Sequence, residues 1–521
     1  MSRTRIVKGK ITEVIEKDYN IFSESDIIDN AAEIVGEKGE KSGLSYGKPD
    51  VPPPSTTLIN SIVEFRTKQD GSYTGEFGFD WLRIDDLGAT NEKAYVDCIE
   101  GGYELPNGRD RNTEYESKAE AFRALETQYL QLPIRRTSSP TTTKYYVPWL
   151  NLYPESVTVA STSVVKPSCE AELRVLVDVE NEEPDQIRLV FDKNYFTIDG
   201  KDGTDANPVL VTDKAIGTKR DTGQIIKIKC INEFARRQEI LVYGYPKNSL
   251  SKPLAEQLVL RKVIGKIVLE PNKNSPAAGK TAAVKNRKNL NVVLVSVIVN
   301  INGSPSSGVF DAGFASGETA IFQKGLYQAL IETNLIKRFA SRSGTTVNAT
   351  LDLSAVPLFK IHKDSRGNPI DSTYINSSGN IKSGNALLVE LKRRFHILTA
   401  NKYVNDFIVF SFDETCPHPS DPTLVINGFA EATHAGTRLI FKKSAALFKT
   451  RRDTTLPHEC MHGLGLFHTH KDGAINNPDQ NFVFAHARTN ANSATDNIMS
   501  YRQDRSTTWH WQWKILKRNI R

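Results

Sequence analysis

Three histidines and a glutamate near the end of the chain have the types and spacing of a metal site. Residues 455–468 read Thr-Leu-Pro-His-Glu-Cys-Met-His-Gly-Leu-Gly-Leu-Phe-His, which places His458 and His462 four residues apart. In an α-helix this spacing puts both imidazoles on one face, where they can bind one Zn²⁺ at about 2.0 to 2.1 Å. Glu459 lies beside them and is placed to accept a proton from a metal-bound water.

A third histidine, His468, is expected to complete the ligand set. We expect a helix with Thr455 as its N-cap and Pro457 in its first turn. Gly465 can adopt a positive φ and turn the backbone so that His468 returns to the metal. Three imidazoles leave the fourth tetrahedral position to water, as in catalytic zinc sites. His470 is an alternative third ligand, but the spacing favours His468 and assigns His470 to the surface or to orienting a ligand.

The segment from His458 to His468 resembles the metzincin zinc peptidases, whose pattern is HExxHxxGxxH. Residues 496–501 read Asp-Asn-Ile-Met-Ser-Tyr and are similar to the Met-turn of that family. The resemblance implies that Met499 forms an apolar floor beneath the three histidines without binding the metal. It also implies that Tyr501 approaches the metal and steadies an oxyanion. No metzincin subfamily is indicated.

The same resemblance implies that a substrate lies along an edge strand just before the active-site helix. Residues 428–431 and 437–441 are the two candidates for this strand, and each is equally consistent with an ordinary hairpin of the sheet. Near the C-terminus, Trp509, Trp511 and Trp513 predict a closing helix that packs against the core.

Length and composition indicate a protein with several globular domains. The 521 residues are 39% hydrophobic and 25% charged, which predicts two to four domains and excludes a wholly disordered or fibrous chain. The net charge of +6 is too small to indicate nucleic-acid binding. The longest apolar run, residues 292–299, has the length of a strand, so no membrane span is expected.

Patterning along the chain predicts a multidomain protein with N-terminal β-rich modules and a C-terminal α/β domain, which the resemblance above implies is a zincin domain. Residues 1–55 end in three prolines and a serine and are interpreted as a leader or adaptor segment. Short strands predict a β-rich module at 56–145 and an immunoglobulin-like sandwich at 146–270. A polar linker is expected at 271–289, and the change of periodicity after it predicts an α/β domain at 290–521, which the resemblance implies is the metzincin-like catalytic domain.

Apolar periodicity predicts the main elements within these domains. In the N-terminal modules it indicates short strands and no long helix before residue 146. Strands are expected at 173–179, 187–191, 224–231, 239–243, 258–269, 292–299, 407–412 and 438–441. Helices are expected at 322–330 and 387–398.

The N-terminal residues bear on where the protein acts. No apolar stretch of signal-peptide length follows the first ten residues, so export through a Sec signal is not expected. Residues 1–50 and 75–85 resemble leader regions of bacterial effectors exported without such a signal, for instance by type VI secretion. This resemblance implies synthesis in a bacterial cytoplasm, non-Sec export and a component of the secretion apparatus as partner. The alternative is a cytoplasmic peptidase with accessory domains.

The main functional hypothesis is hydrolysis of peptide bonds in a peptide or protein substrate by a zinc-activated water. Glu459 is the expected general base, and Tyr501 is expected to hold the tetrahedral oxyanion. One alternative is a secreted adhesion or scaffold protein with a vestigial zinc site, although the complete ligand set argues against decay. Another is a peptidase that cleaves the peptide stem of peptidoglycan.

Overall fold

The computed structural model of this chain describes most of residues 61–520. The described ranges are 61–68, 72–90, 92–101, 117–135, 142–276, 283–284, 286–340, 345–435, 438–470, 482–486, 495–502 and 505–520. The predicted leader at 1–55 lies outside them. Within the described ranges the chain is mostly β-sheet with few helices, which agrees with the expectation of β-rich modules.

The first part of the described chain contains short strands and two short helices. Their bounds are β1 Ser61–Thr67, β2 Gly78–Asp80, α1 Tyr95–Cys98, β3 Ile99–Gly101, α2 Lys118–Glu126, β4 Leu130–Arg135, β5 Thr142–Val147 and β6 Trp149–Asn151. Helix α2 has nine residues, so the prediction of no long helix is confirmed for this described part. The Ser117 hydroxyl caps α2 by accepting the Glu120 amide hydrogen bond.

A second group of elements follows with longer strands. It comprises β7 Glu170–Val179, β8 Gln186–Val190, β9 Phe196–Ile198, β10 Val209–Val211, β11 Gly217–Cys230, β12 Gln238–Tyr245, α3 Leu254–Leu260 and β13 Lys262–Leu269. These strands form two sheets in the orders β1-β7-β11-β9 and β10-β8-β12-β13-β6-β2. The sheets share one apolar core, toward which alternate residues of β7 point, because side chains on a strand alternate between faces.

The prediction of a strand over 258–269 is partly wrong. Residues 258–260 belong to helix α3, and the strand begins at Lys262. No residue of α3 is buried, and Val259 is 77% exposed. The apolar residues of this helix therefore do not mark a core-facing strand.

The last part of the chain carries most of the helices. Its strands are β14 Ser275–Pro276, β15 Ala283–Val284, β16 Lys288–Val299, β17 Ser306–Ser307, β18 Ile331–Ile336, β19 Arg338–Ala340, β20 Thr346–Asn348, β21 Thr350–Asp352, β22 His362–Lys363, β23 Pro369–Ile370, β24 Phe407–Ser411, β25 Pro417–His418, β26 Asp421–Val425, β27 Gly428–Ala435, β28 Arg438–Leu447 and β29 Val483–Phe484. Its helices are α4 Glu318–Tyr327, α5 Asn385–Leu398, α6 Thr455–Gly463 and α7 His510–Arg518, with 3₁₀ turns at Gly313–Ala315 and Pro357–Phe359.

A seven-stranded mixed sheet organises this part. Its main path is β17-β16-β24-β28-β27, and β18 and β21 also pair with β16. Strands β16, β24 and β28 run parallel, while β27 is antiparallel at the edge. Helices α4 and α6 share a core with one face of β16, and α5 shares a core with the other. Burial on both faces explains the continuous apolar run at 292–299.

Several predicted elements are confirmed here. Strands occur at the predicted positions 292–299 and 407–411, and α5 matches the predicted helix at 387–398. Helix α4 begins four residues before the predicted 322–330 and ends at Tyr327, three residues before the predicted end; Leu330, with a φ of 55°, does not have a helical backbone. Within the described ranges, no helix is both long enough and apolar enough to cross a membrane.

Candidate metal centre

The three histidines predicted as ligands come together in the structure. The Nε2 atom of His468 lies 3.0 Å from that of His458 and 3.1 Å from that of His462. His458 and His462 are buried, and His468 is partly buried. Among the described residues, these three form the group whose ligand atoms converge closely enough to hold one metal ion.

Backbone carbonyls determine which ring nitrogens face the centre. The Nδ1 atom of His458 lies 2.9 Å from the Ile498 carbonyl oxygen, and that of His462 lies 2.7 Å from the Leu466 oxygen. A carbonyl oxygen only accepts hydrogen bonds, so each Nδ1 must donate, and each neutral ring presents an Nε2 lone pair to the centre. Hydrogen bonding of this kind orients metal-binding histidines.

This arrangement fits a metal ion. The Nε2 lone pairs of His458 and His462 each face the Nε2 atom of His468 at about 3 Å, and a cation or a proton between the nitrogens makes this close approach favourable. Tetrahedral zinc with bonds of about 2.0 to 2.1 Å separates its nitrogen ligands by roughly 3.3 Å, close to the observed spacing. The donor set is compatible with several transition metals, because imidazole binds zinc, copper, iron and nickel.

Helix α6 and the turn after it position the ligands. Residues 455–463 are helical and all buried, with Pro457 in the first turn as predicted. The predicted N-cap is wrong: Thr454 occupies that position, and Thr455 is the first helical residue. The Thr455 hydroxyl instead accepts a hydrogen bond from the Arg452 amide.

Gly465 has a φ of 95°, so the predicted sharp turn is confirmed. A Cβ atom at this position would lie 2.5 Å from the Asn519 Nδ2 atom. The turn brings the Leu466 carbonyl to His462, and the Leu466 amide donates to the Met461 carbonyl at 3.0 Å. Glycine is therefore favoured both by the backbone conformation and by the close approach of the Asn519 side chain, just after α7.

The predicted floor residue Met499 is fully buried. It belongs to the same apolar core as Leu456, Cys460 and Met461 of α6. The Asn497 side chain accepts its amide hydrogen bond at 2.9 Å, and its carbonyl accepts one from Thr469 at 3.1 Å. The bond from Thr469 links the 495–502 segment to the residue just after His468.

Tyr501 lies next to the histidines, as predicted for a residue that acts at the centre. Its ring centroid is 4.9 Å from that of His468 and 5.7 Å from that of His458. The side chain is 40% exposed and can therefore be reached from solvent. Tyr501 therefore contacts both the histidine rings and solvent.

His470 lies outside the group of three converging ligands. Its ring stacks on that of His468, with centroids 4.8 Å apart and planes 17° apart. The His486 ring lies 4.2 Å from that of His470. Sequence reasoning did not single out His486, because no motif links it to the other histidines.

Glu459, the predicted base, is buried and only 8% exposed. Burial raises the pKa of its carboxyl to about 7, against the opposing effects of the Arg505 charge and an Ala430 backbone hydrogen bond. A Cβ atom at Gly428 would lie 3.0 Å from the Glu459 Cγ atom. Edge strand β27 therefore packs directly against this carboxylate side chain.

Arg505 is a residue of the site that the sequence did not reveal. Its guanidinium donates to the Ser500 carbonyl and to the Thr454 hydroxyl, and its Nη1 atom lies 3.3 Å from His458 Nδ1. Burial and the Arg505 charge together hold the pKa of His458 well below its usual range. A neutral imidazole is the form that binds a metal.

Comparison of the chain with models of protein families, with curated proteins and with solved structures finds no match. Inference about the site therefore depends on its own residues and geometry.

The two candidate substrate strands have different places in the sheet. Residues 428–431 belong to edge strand β27, while 438–441 belong to β28, which lies between β24 and β27 in the sheet order. Phe441 of β28 stacks on His462, with ring centroids 4.9 Å apart. The first candidate thus lies at the edge and beside Glu459, whereas the second supports a ligand ring.

Proposed function

We propose that this chain is a zinc-dependent peptidase of the metzincin type that hydrolyses peptide bonds. The observation that carries the proposal is the convergence of three histidine Nε2 atoms, two of them oriented by carbonyl groups. A buried carboxylate follows the first of these histidines on the same helix. The HExxHxxGxxH spacing in the sequence supports the same reading.

His458, His462 and His468 would hold the zinc ion through Nε2. A bound zinc ion supplies Lewis acidity and lowers the pKa of a coordinated water from 15.7 to about 7. Three protein ligands leave a coordination position open, as catalysis requires and a structural site does not. We propose zinc because three imidazoles with an open fourth position form a known type of catalytic zinc site.

Glu459 is the proposed general base. It follows His458 on α6, and its burial favours a carboxyl that can both take up and release a proton near neutral pH. Tyr501 can donate its phenolic hydrogen bond to an oxyanion that develops on the substrate carbonyl. The Arg505 charge adds to burial in lowering the pKa of His458, and its guanidinium donates to the Ser500 carbonyl and to the Thr454 hydroxyl just before α6.

Edge strand β27 is the proposed substrate-binding strand. It lies at the edge of the described sheet, and Gly428 brings it against Glu459. The amide and the carbonyl of Ala432 already bond the Asn385 side chain, so an extended peptide would pair with other residues of this strand. Together with the parallel strands β16, β24 and β28, it is compatible with the zincin-like domain inferred from the sequence. An extended peptide on β27 would present its scissile bond near the carboxylate.

Export by a non-Sec route and contact with a secretion apparatus remain proposals supported by sequence resemblance alone. Their test is the appearance of the protein in culture medium from cells with an intact contractile apparatus and its absence from medium of cells that lack one. Release that does not depend on the apparatus would contradict this part.

Glu459→Gln tests the proposed chemistry. The amide keeps the size of the side chain but cannot accept a proton, so hydrolysis of a peptide library should fall by at least 10²-fold. Zinc content, measured by metal analysis, should stay at the wild-type level because Glu459 is not a proposed ligand. If the zinc-loaded variant hydrolysed the library at the wild-type rate, Glu459 would not be the general base.

A further inference from the structure

An arginine from the N-terminal β-rich part reaches the segment that carries Ile498. Arg83 follows β2, and its Nη2 atom lies 2.9 Å and 3.1 Å from the two carboxylate oxygens of Asp496. Its Nε atom lies 3.2 Å from Glu92, whose carboxylate also accepts a hydrogen bond from Trp81 at 2.7 Å. Arg83 is thus held on both sides, and its side chain is 11% exposed.

Asp496 in turn forms hydrogen bonds with Ser506 and Thr507, and these bonds hold the segment that contains Ile498. Its carbonyl accepts hydrogen bonds from the amides of Ser506 and Thr507 at 2.9 and 3.1 Å, and its side chain accepts one from the Thr507 hydroxyl. The Ile498 amide donates to the Thr507 carbonyl at 2.8 Å. The Ile498 carbonyl then accepts the hydrogen bond from His458 Nδ1.

We propose that Arg83 is a positioning residue of the metal centre, which acts through Asp496 and the Ile498 carbonyl on the orientation of His458. The inference deepens the proposed function and depends on it. It makes the β-rich part of the chain a structural support of the site and not a separable delivery module. Groups that hydrogen-bond to a metal ligand typically contribute 10- to 100-fold to metal affinity.

Other contacts join the same two regions. Strand β3 pairs with β29, and the Cys98 carbonyl accepts the Ala485 amide hydrogen bond at 2.8 Å. The Thr469 carbonyl, next to His468, accepts the Phe484 amide hydrogen bond at 2.7 Å. The β-rich part therefore contacts the chain at two places after His468, at 483–485 and at 496.

Gln328, just after α4, makes a second set of hydrogen bonds between the β-rich part and the last part of the chain. Its side-chain amide donates to the carbonyls of Gly75 and Ser506 at 3.3 and 2.7 Å and accepts from the Thr508 amide at 2.8 Å. Its own carbonyl accepts a hydrogen bond from the Asn151 side chain at 2.7 Å. Gln328 thus links Ser506 and Thr508, which follow the loop that contains Ile498, to Gly75 and Asn151 of the β-rich part.

The test is the zinc dissociation constant of full-length Arg83→Met, measured by competition with a chelator. The variant removes the ion pairs of Arg83 with Asp496 and with Glu92 and keeps an apolar stem. Because Arg83 acts on His458 only through Asp496 and Ile498, we expect zinc to bind about 10 times more weakly than to the wild type, the lower end of the range for direct partners of a ligand. The absorption spectrum of the Co²⁺-loaded variant should also change, because it reports the arrangement of the ligands. Arg83→Lys, which keeps the charge, should recover part of the affinity.

Arg174→Met is the matched control. Arg174 pairs with Asp221 between β7 and β11, and the side chains are 17% and 26% exposed, close to the 11% and 27% of Arg83 and Asp496. Both variants should lose stability, which thermal unfolding measures, but Arg174→Met should keep the wild-type zinc affinity. An equal loss of affinity in both variants would show a general effect of destabilisation and overturn the inference.

Two further outcomes separate the inference from the function on which it depends. Unchanged zinc affinity in Arg83→Met overturns the inference alone. Failure of the wild-type chain to bind zinc overturns the proposed function and the inference with it. Should Arg83→Met fail to fold, Asp496→Asn decides the question: it weakens the pair with Arg83 while the carbonyl bonds to Ser506 and Thr507 remain, and wild-type zinc affinity there would overturn the inference.

Discussion

The ligand side chains of the candidate centre are oriented by backbone groups that no motif specifies. Spacing predicts that His458, His462 and His468 meet, because i and i+4 positions share a helix face and a glycine permits the turn. The Ile498 carbonyl lies 40 residues from His458 in sequence. Such a partner, like Arg505, depends on how distant segments fold together and could not be predicted from local patterns.

The turn at Gly465 can be tested by substitution. Gly465→Ala places a Cβ atom in a positive-φ conformation and 2.5 Å from the Asn519 side chain. We expect a loss of about 1 to 3 kcal/mol in the free energy of unfolding, measured by urea denaturation of the metal-free protein. Gly303→Ala is the control, because its φ of 94° is nearly equal but nothing lies within 4 Å of the added atom. Equal losses in both variants would contradict the role of the close approach.

Helices and strands show where periodicity is informative. Strand β16 and helix α5 were predictable, because each buries its apolar residues in a core and so carries the period of that burial. Helix α3 was not, since its leucines and valine lie at the surface. The start of α6 was misplaced by one residue because two adjacent threonines offer the same capping chemistry.

The contact between β2 and α7 predicts a pH dependence of stability. Asp80, at the end of β2, accepts hydrogen bonds from the His510 amide at 2.9 Å and the Tyr129 hydroxyl at 3.0 Å. Burial raises the pKa of Asp80 to about 7, although these hydrogen bonds and the Arg83 charge lower it. The folded state therefore retains a proton that the unfolded chain releases near pH 4. Stability from this group falls as pH rises from about 4 to 7 and stays constant above that.

Asp80→Asn should remove this dependence. The free energy of unfolding of the wild type minus that of the variant should decrease between pH 5 and pH 7, by an amount on the order of 1 kcal/mol per pH unit. Urea denaturation at several pH values measures both. Parallel stability curves for the two proteins would contradict the raised pKa of Asp80.

In the folded molecule, segments that the sequence pattern predicts to be separate consecutive domains share sheets and one apolar core. Strand β1 pairs with β7, strand β6 pairs with β13, and β2 joins the second sheet through β6. One apolar core contains residues from Ile62 to Ile520. Periodicity describes each strand but not its partner, so the parallel pairing of β6 with β13, for example, could not be predicted. The domain boundaries at 55, 145, 270 and 289 remain predictions.

The central claim is that His458, His462 and His468 bind one zinc ion and leave one coordination position open. X-ray absorption at the zinc edge of the full-length protein, loaded with one equivalent of Zn²⁺, measures the ligand types and distances directly. We expect three imidazole nitrogens at about 2.0 to 2.1 Å and one further oxygen ligand. Fewer than three imidazoles, or a sulfur ligand at about 2.3 Å that would implicate Cys460, would contradict the account.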